Sequence, residues 1–105
     1  MMTWEEERAA AKAVVDAVAP ALDADPAWRD RLYRDLGNGN IDGDDIAESA
    51  LNAAVTFDVI LTPDVLAGAR RVADESGQIP NGDNPVTDIY RHLAVLEQRT
   101  TLSPA

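Results

Sequence analysis

Apolar residues recur along this chain with a helical period and seldom with a strand period. Ile46, Ala50, Leu51, Ala54, Phe57 and Ile60 or Leu61 fall three and four residues apart, the spacing that lines one face of an α-helix. Val65, Leu66, Ala69, Val72 and Ala73 repeat the pattern, and so do Val86, Ile89, Tyr90, Leu93 and Leu96. No stretch alternates apolar and polar residues long enough to predict a strand. The pattern predicts an all-α fold, a compact bundle of about five short helices.

Start signals sharpen the boundaries. Thr3 with Glu6 three residues on forms a capping box, and the helix behind it is expected to run to about Ala19, where Pro20 breaks it. Asp25–Pro26, Thr62–Pro63 and Asn84–Pro85 are cap-and-proline pairs, each marking a helix start. The second helix is expected to end near Leu36 with Gly37 as a left-handed stop. The third is expected from about Asp44 to Ile60, meeting the fourth across almost no linker. The fourth is expected to stop at Gly77, before a turn-rich loop, QIPNGDN. Residues 1–99 read as a single helical domain and residues 100–105 as a tail without pattern.

Composition makes the core thin. The chain has 105 residues, enough for one domain, with a radius of gyration of roughly 13 Å expected at this length. The apolar fraction is 46%, but much of it is alanine. The aromatic residues are Trp4, Trp28, Tyr33, Phe57 and Tyr90. Small side chains let helices approach closely while burying little area each, so a partner is expected to complete the core.

Charge narrows the partners. The formal charge is −10, from 19 acidic against 9 basic residues. That disfavours sequence-specific nucleic-acid binding and anionic membrane surfaces, both of which call for a basic patch; it favours basic protein partners. Many acids stand at predicted helix starts, where they face the positive end of the helix dipole. Arg29, Arg31 and Arg34 alternate with Asp30 and Asp35, and Arg70–Arg71 lie within the fourth helix, a mixture that reads as solvated faces rather than as a nucleic-acid mimic. Cysteine is absent, no apolar run approaches the ~18 residues of a membrane span, and the first residues, MMTWEEER, are acidic where a secretory signal is basic. An intracellular location, or one within a virus particle, is expected.

The one stretch with specific chemistry is RDLGNGNIDGDDIAES, Arg34 to Ser49. Its Asn, Asp and Gly residues approximate a calcium-binding EF-hand loop, with Asn38, Asn40, Asp42 and Asp45 as the candidate metal ligands. No register satisfies the twelve-residue pattern. Counting from Asn38 puts Asp42 and Gly43 correctly at the fifth and sixth positions but leaves Ser49 where the bidentate acid belongs. The simpler reading is a hinge, with Asp42 or Asp44 capping the third helix. Catalysis finds no support: His92, the only histidine, has Asp88 four residues before it, a spacing that predicts a surface pair, and Ser49, Ser76 and Ser103 fall in no motif. No catalytic residue and no cofactor is assigned.

The expected function is therefore non-enzymatic. The chain reads as a small acidic subunit of a larger protein assembly, contacting partners through Asp42, Asp44, Asp45, Glu48, Arg70 and Arg71. Size, helicity and charge parallel those of phage head–tail adaptors, in which negative charge facing the channel lets DNA slide; this is analogy, with no motif behind it. The alternatives are a soluble inhibitor or immunity protein that neutralises a basic enzyme, and a degenerate EF-hand-like calcium-binding domain.

Overall fold

The computed structural model of the chain describes residues 2–76 and 84–102. The four helix starts marked by a capping box or a cap-and-proline pair are present with their caps. In α1 (Trp4–Val18) the Thr3 hydroxyl accepts from the Glu6 N–H at 3.1 Å while the Glu6 carboxylate accepts from the Thr3 N–H at 2.9 Å. Asp25 accepts from the Trp28 N–H to open α2 (Pro26–Leu36). Thr62 accepts from the Val65 N–H to open α4 (Pro63–Asp74). Asn84 accepts from the Thr87 N–H to open α5 (Pro85–Leu102). The remaining helix, α3, spans Gly43–Thr56. These local bonds satisfy N–H groups that a helix's first turn otherwise leaves orphaned.

The helix ends depart from expectation. Pro20 does not simply break α1: it sits in the first turn of a 3-10 helix, Ala19–Ala24, that carries the chain on, and there its missing N–H costs nothing. Gly37 is not left-handed, with φ at −81°. Its N–H still donates to the Tyr33 and Arg34 carbonyls, and Arg8 of α1 serves the ones beyond, its guanidinium donating to the backbone oxygens of Asp35, Leu36, Asn38 and Ile41.

Helix α3 stops at Thr56 rather than running to Ile60. Asp58 adopts φ 56°, and the Val59 N–H returns to the Ala54 carbonyl at 2.9 Å, the pattern of a Schellman stop with aspartate in the place usually held by glycine. Aspartate tolerates this region better than most side chains. Residues Phe57 to Thr62 then form a real connection to α4, so the tight corner expected between the third and fourth helices is absent. At the far end, α5 runs into the segment read as a tail, to Leu102. The expected stop at Gly77 and the loop from Gln78 to Asp83 lie outside the described residues.

Four helices close the core. α1 packs on α3 and α4, and α5 packs on α3 and α4, so the order around the bundle is α1–α3–α5–α4; α2 lies outside this ring, against α3 and α1. The buried stripe of α1 is Ala11, Val14, Val15 and Val18, and that of α5 is Val86, Ile89, Leu93 and Leu96. α3 contributes most, burying Ile46, Ala47, Ala50, Leu51, Ala53 and Ala54. No aromatic residue is fully buried among the described residues: Trp28 and Phe57 are half-buried at the core's edge, their rings 6.1 Å apart and edge to face, while Trp4 and Tyr33 are exposed. The core is thus aliphatic and alanine-rich. The radius of gyration is 12.8 Å, and no helix among the described residues is long and apolar enough to cross a membrane.

Candidate functional site

Helix α3 begins where α1 presents Glu7, and the two segments build an acidic end. Asp42 occupies the N-cap position of α3, but its side chain makes no capping bond. The expectation that Asp42 or Asp44 caps this helix is therefore corrected: the Glu7 carboxylate, 37 residues earlier in the chain, accepts from the Asp44 N–H at 3.2 Å. The Asp44 carboxylate accepts from the next N–H, that of Asp45, at 2.8 Å. Gly43 makes this arrangement possible, because a Cβ there would lie 2.7 Å from Glu7 Cγ, closer than carbon atoms approach without displacement.

The charges crowd. Oxygens from the Asp42, Asp44 and Asp45 carboxylates all lie within 4.8 Å of one another, close enough to share a cation or a partner's guanidinium. Asp44 is buried, at 5% exposure. Burial raises the Glu7 carboxyl above its ordinary range, and the Asp44 charge adds to this, opposed by the N–H groups of Asp44 and Gly43. Burial also raises Asp45, helped by Asp44, Asp42 and Glu48. Both shifts say that the folded chain holds more negative charge here than this end accommodates comfortably.

Beside the acids stands an aromatic. Trp4 is 42% exposed, with the Arg8 guanidinium 5.1 Å from its ring centre. Trp4, Glu7, Asp42, Asp44 and Ser76 line a shallow pocket of about 240 Å³. Its lining combines carboxylates with an indole, the two kinds of group that attract a cationic side chain.

The other residues named from the sequence have different roles. Asn38 accepts from the Asn40 N–H at 3.0 Å, an Asx turn that serves the hinge. Asp42 and Asp45 come together, with Asp44 beside them. Glu48 turns toward α5, 3.4 Å from His92 Nε2. The Asp88–His92 surface pair is thus replaced: Asp88 lies 3.3 Å from Arg91. Arg70 pairs with Glu97 and lies over the Tyr90 ring, and Arg71 pairs with Glu75 and Glu6, so both are engaged within the chain. Glu7, Trp4 and Ser76 were missed. Glu7 stands in the first turn of α1, where the dipole already accounts for an acid, and only the packing of α1 on α3 gives it a second role. No protein-family model, curated protein sequence or solved structure matches the chain.

Proposed function

We propose that the chain is a non-enzymatic interaction subunit of a larger protein assembly, docking through its acidic end onto a basic protein surface. The observation that carries this reading is the pocket lined by Trp4 together with Glu7, Asp42 and Asp44. A lysine or arginine entering it would bring a positive charge to the carboxylates of Glu7, Asp42 and Asp44 and would meet an indole as well. Exposed tryptophans beside charged groups are the usual anchors of protein interfaces.

Gradient sedimentation of the protein from its source lysate tests the proposal. The chain is expected to travel with a particle much larger than 11.3 kDa, and the Asp42→Arg/Asp45→Arg variant to remain near the top. Wild-type protein that stays at the top alone rejects the assembly role.

A further inference from the structure

The basic residues of this acidic chain are nearly all committed. Arg8 and Arg99 hold backbone carbonyls at helix ends. Lys12, Arg29 and Arg91 pair with Asp16, Asp23 and Asp88, while Arg70 and Arg71 pair with glutamates. Arg31 and Arg34 remain, exposed and without an ion pair among the described residues. They share a groove of about 540 Å³ between α2 and α3 with Asp25, Ala27, Trp28 and Asn52.

This groove sets donors around one acid, Asp25, whose carboxylate accepts from the Trp28 N–H. The Trp28 indole is fixed, its N–H donating to Ser49 Oγ at 3.1 Å and its ring set edge-on against Phe57. The Asn52 side-chain oxygen lies 3.4 Å from the Thr56 hydroxyl, which leaves its NH₂ group without a partner among the described residues. Two guanidiniums and an amide NH₂ therefore face an opening with an apolar floor. The matching ligand is a short run of carboxylates carried on a surface with some apolar content. A nucleic-acid strand fits worse, because its run of phosphates would meet a chain of net charge −10.

A surface of that kind exists on the chain itself. Asp45 and Asn52 stand at i and i+7 of α3, on one face of the helix, with Asp42 just before its first turn. The acids stand at its start, and Asn52 borders the arginine groove about 10 Å further along by helical rise. The face is negative at one end and cationic at the other. Turned end over end, it is complementary to itself, as a two-fold interface requires. We propose that the Arg31–Arg34 groove receives the Asp42 and Asp45 carboxylates of a second copy of this chain, pairing the α3 faces of two copies antiparallel. This rests on the reading of the acidic end as a docking surface and names its first partner. At physiological salt the Debye length of about 8 Å screens the repulsion between two negatively charged chains while leaving contact pairs in place.

Sedimentation velocity on the purified full chain, from micromolar to millimolar concentration, decides the matter. The expected result is a mass that doubles with concentration. Arg31→Glu/Arg34→Glu and Asp42→Arg/Asp45→Arg should each be monomeric, and an equimolar mixture of the two should dimerise, since both contacts are then complementary. The milder Arg31→Gln/Arg34→Gln should weaken dimerisation about tenfold or more, and Arg91→Glu, with its charge elsewhere, should leave it unchanged; circular dichroism verifies that each variant is folded. A wild-type chain monomeric at millimolar concentration overturns the pairing, and so does a mixture that stays monomeric. A purified monomer that still travels with a particle in lysate overturns only the self-pairing. A purified dimer whose chain stays at the top of the lysate gradient overturns only the larger assembly.

Discussion

The two ends of α3 are finished in opposite ways. At the C-terminal end, one arginine does the work: Arg99 of α5 donates to the Ala54 and Val55 carbonyls at 3.3 and 3.2 Å and pairs with Asp58 at 3.1 Å. A single cation meets the negative end of the dipole, and one carboxylate balances it. At the N-terminal end, Glu7, Asp42, Asp44, Asp45 and Glu48 gather where one or two acids would satisfy the dipole, and two of them, Glu7 and Asp45, are raised by burial and, after it, by their acidic neighbours. An end closed by one arginine is complete within the fold. An end with surplus like charge costs stability within the fold.

This contrast can be broken at several points. The largest effect is expected at the parallel closure of α2. Arg8→Met should destabilise the chain by about 3 kcal/mol, since several backbone carbonyls lose a charged donor together, read from the urea midpoint at unchanged slope. Arg99→Met should cost about 2 kcal/mol, with fewer carbonyls released and water able to reach them. Gly43→Ala should cost about 1 kcal/mol by pushing Glu7 off the start of α3; an unchanged urea midpoint would show that Glu7 does not cap this helix.

The smallest effect has the opposite sign. Asp45→Asn should stabilise the chain at neutral pH by a few tenths of a kcal/mol, because the group is largely exposed and screened. Its pH dependence carries the sharper information. Raised folded pKa values mean that Glu7 and Asp45 favour the folded state below the ordinary carboxylate range, and that this contribution is lost as pH rises through their folded values. Glu6, Asp16 and Glu75 run the other way. Hydrogen bonds from Thr3, Lys12 and Arg71 hold them low, so their contribution is present at neutral pH and lost on acidification. The advantage of Asp45→Asn over wild type should therefore shrink as pH falls from neutrality toward about 4. An advantage independent of pH would show that the acidic end carries no electrostatic tension.

Helix starts were legible in the sequence because the information is local. Thr3 with Glu6, Asp25, Thr62 and Asn84 each reach an N–H three residues ahead, and no tertiary contact is required. The apolar stripes were legible for the same reason: helical period alone placed Ile46, Leu51, Leu66, Ile89 and Leu93 inside. The candidate site was legible only in part. Asp42, Asp44, Asp45 and Glu48 are neighbours in sequence, whereas Glu7 and Trp4 come from another helix and join them only through packing.

What the sequence determined by itself is where each helix begins and which face it buries, since both follow from residues within one or two turns of each other. What the tertiary structure alone decided is how the helices end and which charges are left over. Gly37 carried the expected stop signal for α2, yet the last carbonyls of the helix, those of Asp35 and Leu36, are served by Arg8; α3 had no glycine at its end, yet its chain turns at Asp58 under Arg99. A carbonyl at a helix end accepts from any donor that packing brings near, and an arginine on a distant helix has the reach to supply it. Arginines spent in this way cannot neutralise the acids of α3, and the charge asymmetry of the surface follows from that.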